Sequence, residues 1–105
     1  MPNDPILIER LRDLAPLDTN EKQVFGARCW TLAGNMAFGV HGDELLVRLG
    51  SDGEAGDGVR PFDPMGKGKP MKGWFLVDQE LLAEDDELAA WIERAVGFAA
   101  TLPPK

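Results

Sequence analysis

The sequence is poor in the residues that build covalent and metal sites. Cys29 is the only cysteine and His41 the only histidine among 105 residues, so no intrachain disulfide can form and the clustered Cys and His ligands of a zinc site are missing. The sequence also lacks HExxH, the Gly-Lys-Ser/Thr phosphate loop and the GxSxG motif of hydrolases. We therefore expect no metal and no other cofactor.

Long apolar runs and a surplus of basic residues are lacking as well. No stretch approaches the roughly 18 apolar residues of a membrane-spanning helix, and residues 1–13 contain no signal-peptide core. Eleven Lys and Arg against eighteen Asp and Glu leave a formal net charge of −7, which repels phosphate backbones and anionic lipid surfaces. We expect a cytoplasmic protein that makes no membrane contact and does not bind DNA directly.

Neither Cys29 nor His41 has sequence neighbours that would activate it. Cys29 is followed by Trp30 and other strand-forming residues instead of bases, so we expect a structural thiol. His41 has no Ser, Cys or second His near it in the sequence to complete a nucleophile and base pair. We expect no catalytic residue and no enzymatic activity.

What the sequence does contain is the pattern of one folded domain over residues 1–105, with a helix near each end. Asp4 and Pro5 are typical of a helix start, and the acidic residues 84–87 favour the positive end of a second helix. Apolar residues recur every three or four positions in both segments: Leu7, Leu11 and Leu14 in the first, and Leu88, Trp91, Ile92, Ala95, Ala99 and Leu102 in the second.

Between the helices, four apolar segments predict strands at residues 24–32, 36–41, 45–49 and 73–77. Turns at 34–35 and 42–43 make the first three strands an antiparallel meander. We expect one face of this meander to form the core: Met36, Phe38 and Val40 with Leu45, Val47 and Leu49. The prediction is an α+β fold, a two-layer, mainly antiparallel sheet of four or more strands with N- and C-terminal helices packed on it.

Residues 50–73 contain seven glycines and three prolines, which predicts a long loop that is either functional or pinned as an Ω-loop by Phe62 and Met65. The following strand is apolar at every position from 74 to 77. Its second face must therefore be covered by a helix, the loop or another subunit, and we expect a homodimer.

Several segments in this order resemble the amino-terminal domain of the TfoX/Sxy family. They are the Phe25-Gly26 pair, the hairpin of residues 33–40, Leu45-Leu46-Val47-Arg48-Leu49, Arg60-Pro61-Phe62-Asp63, Met71-Lys72-Gly73-Trp74, Leu88-Ala89-Ala90-Trp91 and Leu102-Pro103-Pro104. The resemblance covers nearly the whole chain. Val24-Phe25-Gly26-Ala27 departs from the family's Met-Phe-Gly-Gly, and Arg28-Cys29-Trp30 stands where milder apolar residues are common.

The resemblance implies a small α+β domain without an established enzymatic activity. In longer members of the family this domain precedes a helical carboxy-terminal domain, and the whole protein regulates bacterial competence genes alongside the cyclic-AMP receptor protein. The resemblance extends only to the amino-terminal domain, and folds do not carry function by themselves. We therefore expect a non-enzymatic regulatory or protein-interaction domain with an unidentified protein partner.

Charge is unevenly distributed, and the basic residues of the loop are the candidate binding residues. Residues 78–94 hold seven acids against one base, which indicates either a solvated face or a surface for a basic partner. Arg60, Lys67, Lys69 and Lys72 lie among glycines that could hold an anion, although plain solvation also explains them. Arg48, on a Leu- and Val-rich strand, either reaches solvent or pairs with a carboxylate. The alternative function is a small-anion or metabolite-binding module.

Overall fold

The computed structural model describes residues 4–24, 27–50, 56–63, 68 and 73–104. The elements are α1 (Pro5–Leu14), β1 (Thr19–Val24), β2 (Ala27–Leu32), β3 (Asn35–His41), β4 (Glu44–Arg48), β5 (Val59–Pro61), β6 (Trp74–Val77), a 3-10 turn (Gln79–Leu82) and α2 (Asp85–Ala99). Within the described part of the chain, neither helix is long and apolar enough to cross a membrane.

The six strands form one antiparallel sheet in the order β1-β2-β3-β4-β6-β5. The first four strands form an antiparallel meander, and the β3–β4 turn lies at Gly42-Asp43 as predicted. The β2–β3 turn lies one residue earlier than the predicted Gly34-Asn35 turn, because Ala33 and Gly34 have the positive φ angles, 53° and 85°, and Asn35 already belongs to β3, where it pairs with Leu32. β5 follows β4 in the chain but is not its neighbour in the sheet. β6 lies between β4 and β5, so β5 is an edge strand. The α+β prediction is therefore confirmed, with six strands.

The main core lies between one face of the sheet and the two helices. Its contributors include Phe38 and Val40 of β3 and Leu45 and Val47 of β4, all with no exposed surface, so the predicted core face is confirmed for these residues. The two helices and the 3-10 turn before α2 complete it with Leu7, Leu11, Leu82, Leu88, Ile92, Ala95 and Ala99. Burial of this apolar surface supplies the main favourable free energy of folding.

Met36 does not belong to this core, contrary to the prediction. The register between β2 and β3 shifts after Trp30, which pairs with Phe38 while Thr31 pairs with Met36. The shift inserts Ala37 as an extra residue, and Ala37 is the one that joins the core cluster. A bulge of this kind reverses the side-chain alternation, which simple period-two counting does not anticipate.

The second face of the sheet carries a smaller cluster. Leu46 of β4 and Leu76 of β6 pack with Phe62, and half-buried Trp74 lies against them. Phe62 follows β5 and donates its backbone N–H to the carbonyl of Trp74 at 2.9 Å. The predicted cover of the strand's second face thus comes at least in part from Phe62, whereas Met65 lies outside the described residues.

Two strands were not predicted, and both lie at the edges of the sheet. The expected single strand over 24–32 is instead two strands, because Val24 ends β1 and Ala27 begins β2. β1 is polar because an edge strand can present side chains and one row of backbone groups to water. β5 interrupts the predicted loop 50–73 and contains Pro61, which an edge position tolerates.

Ion pairs attach β1 to the rest of the fold. Glu21 accepts hydrogen bonds from Arg12 of α1 at 2.8 Å and from Arg28 of β2 at 3.1 Å. The Arg12 guanidinium lowers the pKa of Glu21 through this hydrogen bond, against an opposing effect of partial burial. A carboxyl whose folded pKa is lowered stabilises the fold above its ordinary pKa, and that contribution is lost as pH falls through the folded value.

We therefore expect Glu21→Gln to reduce the free energy of unfolding at neutral pH and to have progressively less effect as the solution is acidified below about pH 4. Urea unfolding of both proteins across this pH range measures the difference. Glu93→Gln is the control, because Glu93 is exposed and has no ion pair among the described residues. A difference that grows on acidification would contradict this role for Glu21.

Two glycines provide a matched test of packing. A Cβ at Gly39 would lie 2.5 Å from the Arg28 carbonyl oxygen and 3.0 Å from Cys29 Sγ, whereas a Cβ at Gly97 meets nothing within 4 Å. We expect Gly39→Ala to lower the free energy of unfolding by roughly 2 kcal/mol. Gly97→Ala, inside α2, should raise it by up to about 1 kcal/mol. Denaturant titration measures both, and wild-type stability in Gly39→Ala would mean that β2 and β3 can separate locally at no cost.

Candidate binding surfaces

Arg60 lies on β5 in a cluster of carboxylates on the second face of the sheet. Its guanidinium donates to Asp78 Oδ1 at 3.1 Å and to Glu44 Oε1. Because β6 lies between β4 and β5, side chains from the three neighbouring strand segments meet here. The pKa of Arg60 is raised above its ordinary value, chiefly by the hydrogen bond to Glu44.

The surroundings of Arg60 are acidic. An open depression of about 380 Å³ is lined by Asp43, Glu44, Arg60, Asp78, Gln79 and Glu80, which are four carboxylates against one guanidinium. Glu44 Oε2 is buried and accepts no hydrogen bond from the described residues. An anion predicted to bind Arg60 would have to displace two carboxylates already bonded to it, so this depression is electrostatically better suited to a cation.

The other predicted loop residues, Lys67, Lys69 and Lys72, lie outside the described residues. Arg48 is placed apart from Arg60, at the opposite end of β4 from Glu44. The five predicted site residues are therefore not brought together by the described structure: Arg60 joins the acidic cluster, and Arg48 joins a different surface.

Arg48 packs against aromatic rings. Its guanidinium carbon is 5.3 Å from the ring centroid of Trp74, its cross-strand neighbour on β6, and 5.7 Å from that of Phe98 on α2. Such cation–π contacts contribute about 0.5–1 kcal/mol where the arginine is partly exposed. The sequence predicts either solvent or a carboxylate as the surroundings of Arg48, and this packing on aromatic rings is neither of them.

A second arginine on α2 has the same kind of environment. The guanidinium carbon of Arg94 is 4.8 Å from the ring centroid of half-buried Trp91. The protein has six arginines. Four of them have carboxylate partners, namely Arg10, Arg12, Arg28 and Arg60. Arg48 and Arg94 have no hydrogen-bond or ion-pair partner among the described residues.

Two shallow depressions run along this flank of α2. One, of about 320 Å³, is lined by Leu81, Glu87, Ala90, Trp91 and Arg94. The other, of about 360 Å³, is lined by Leu49, Arg94, Gly97, Phe98 and Thr101. Arg94 lines both and separates them. We call Arg48, Trp91, Arg94 and Phe98 the arginine–aromatic surface.

Comparison with known proteins identifies the family. A family profile described as the TfoX N-terminal domain matches residues 9–99, a range that includes every strand and the whole of the arginine–aromatic surface. The chain belongs to the TfoX N-terminal domain family. Neither a curated protein nor a solved structure matches it.

Trp91 and Arg94 of this TfoX N-terminal domain are not among the binding residues predicted from the sequence. Trp91 was assigned to the core-facing stripe of α2, where it does pack partly against the core. The available signal was the spacing of three residues between Trp91 and Arg94, which places the two side chains next to each other on a helix. The pairing of Arg48 with Phe98 carries no such signal, because these residues meet only through tertiary packing.

Cys29 of the TfoX N-terminal domain is buried, whereas His41 is exposed at the end of β3. Cys29 is 1% exposed, and burial raises the pKa of its thiol to about 11. The ring of His41 lies edge-on to Phe62 at 5.2 Å between centroids. Among the described residues, no three His, Cys, Asp or Glu side chains form a group that could hold a metal ion.

The Cys29 environment predicts an unreactive thiol. A thiol whose pKa is raised by about two units has roughly a hundredfold less thiolate at about pH 8, and only the thiolate alkylates rapidly. We expect iodoacetamide to modify Cys29 in the folded domain at least about a hundredfold more slowly than in urea. Intact-mass spectrometry follows the reaction, and equal rates in both states would show that the thiol is accessible and activated in the folded protein.

Proposed function

We propose that this TfoX N-terminal domain is a non-enzymatic protein-interaction domain with a regulatory role, which binds its partner through the arginine–aromatic surface. The observation that carries the proposal is the half-buried Trp91, which lies on an open flank of α2 with Arg94 packed on its ring. Tryptophan and arginine are the residues that most often dominate the binding energy of protein interfaces.

The shape of this surface favours a protein over a small molecule. Small ligands are usually held in one concave pocket that buries most of their surface. Here two adjacent depressions lie side by side along a helix, with the Arg94 side chain between them. A partner chain can cover both depressions at once, whereas a metabolite would remain largely exposed in either one.

The chemistry of the domain supports a binding role. The Cys29 thiol is buried with a raised pKa, so it is poorly suited to act as a nucleophile. We propose that the domain acts in the bacterial cytoplasm as part of a regulatory assembly. Family membership and the arginine–aromatic surface are what support this role.

Photo-crosslinking in cells of the source organism tests the proposal. A benzoylphenylalanine is placed at exposed Ala90 or exposed Gly97, which line the two depressions, or at exposed Gln23 on β1 as the control. We expect the same protein to be captured from positions 90 and 97 and not from position 23. Trp91→Ala should reduce the capture from position 97 about tenfold or more.

Because Trp91 also contacts the core, Ala90→Glu is used as a second variant that leaves the core unchanged, and thermal unfolding confirms that both variants fold. Equal capture from all three positions, or no specific capture from positions 90 and 97, would contradict the proposal. The alternative of a small-anion or metabolite-binding module would instead be favoured by thermal stabilisation with phosphorylated or carboxylated metabolites, about 2.7 kcal/mol at a hundred times the dissociation constant.

A further inference from the structure

The arginine–aromatic surface has features that indicate the chemistry of its partner. Arg48 and Arg94 are the two arginines without a carboxylate partner among the described residues. Arg48 lies over the Phe98 ring, and Arg94 lines the same depression as Phe98. The aromatic rings contact these guanidiniums through their faces. The N–H groups at the guanidinium edges are then oriented and available, and their fork matches a carboxylate.

The spacing along α2 sets the pattern of side chains that would fit. Trp91 and Phe98 are seven residues apart, which corresponds to about 10 Å along a helix. Side chains of a β-strand alternate between faces, but a peptide in the polyproline II conformation repeats every three residues with a rise of about 3.1 Å, so its side chains i and i+3 lie on one face about 9 Å apart. A segment with apolar side chains at positions i and i+3 would place one in each depression, with the intervening residues next to Arg94.

On these grounds we propose that the arginine–aromatic surface binds an acidic segment of a partner protein, in which two apolar side chains flank one or more carboxylates. This inference rests on the proposed function and specifies its partner. It assigns Trp91 and Phe98 to the apolar side chains, Arg94 to a carboxylate between them, and Arg48, which lies over the Phe98 ring, to a second carboxylate.

The net charge of −7 does not prevent an acidic segment from binding here. The carboxylates around Arg60 lie near Glu44, which is four residues from Arg48 along β4 and hence about 13 Å away. Charges at that distance are largely screened at physiological salt, where the Debye length is about 8 Å. Glu87 lines the first depression about two helical turns before Arg94, so the ligand's carboxylates are expected toward Arg94 and Arg48 and away from Glu87.

The test is an NMR titration of the ¹⁵N-labelled domain with three short peptides. They have the same flanking residues and differ only in a central tetrapeptide, which is Leu-Asp-Asp-Leu, Leu-Lys-Lys-Leu or Ser-Asp-Asp-Ser. We expect saturable shifts of the Trp91 indole N–H and of the Ala90 and Gly97 amides with the first peptide. The other two should bind at least about tenfold more weakly, because each lacks the charge or the apolar pair. Equal or tighter binding of the lysine peptide, or shifts located elsewhere, would overturn the proposal.

Charge variants identify the residue that recognises the carboxylates. Arg94→Glu should weaken binding of the Leu-Asp-Asp-Leu peptide at least about tenfold, while Arg94→Gln should weaken it less. Lys22→Glu is the matched control: it makes the same change of charge at an exposed residue of β1, and its affinity should stay within about twofold of wild type. Unchanged affinity in Arg94→Glu would overturn the assignment.

The two proposals can fail separately. If crosslinking from position 97 depends on Trp91 but is unaffected by Arg94→Glu, the interaction domain stands and the acidic partner segment is wrong. If crosslinking from position 97 is also independent of Trp91, both the interaction surface and the acidic partner segment are wrong. Sedimentation that shows a dimer of this chain disrupted by Ala90→Glu would replace the acidic segment with a second copy as the occupant, and would overturn the proposal.

Discussion

The antiparallel pairing of β4 with β6 is the contact on which the rest of this domain depends. It joins segments separated by 25 residues in the chain, from Arg48 to Trp74, and is continued by two hydrogen bonds to the Gly73 carbonyl, from Leu49 at 2.8 Å and Gly50 at 3.1 Å. On one face it presents fully buried Val47 and Val77 to the helices. On the other it places Trp74 beside Arg48, so the same pairing that closes the core also begins the arginine–aromatic surface.

Charge in this protein is organised locally, and the net value is a poor guide to any one surface. The four carboxylates near Arg60 form an acidic depression, while Arg48 and Arg94 are held by aromatic rings on another surface. Screening over about 8 Å allows these surfaces to act independently at physiological salt. Hence a chain whose sum of charges disfavours anionic partners still presents two arginines with available N–H donors.

Much of the fold follows from local pattern, and the exceptions have physical causes. The helix starting at Pro5, the hairpin at Gly34 and the strands β3 and β4 were predicted because capping, turn residues and alternation act over a few residues. β1 and β5 were missed because edge strands need neither two apolar faces nor a full set of donors. Arg60 was predicted as a candidate anion contact, but its carboxylate partners Glu44 and Asp78 could not be predicted, since they are 16 and 18 residues away in the chain.

The sequence by itself determined the α+β class, the family, the inert character expected of Cys29 and the faces of β3 and β4 that form most of the core. Local propensity, side-chain period and motif order are sufficient for these conclusions. Tertiary structure alone decided which arginines are neutralised by carboxylates and which are held by rings. That outcome depends on which strand lies beside which, and the β4–β6 pairing and the packing of Phe98 near Arg48 are long-range contacts that no local pattern encodes.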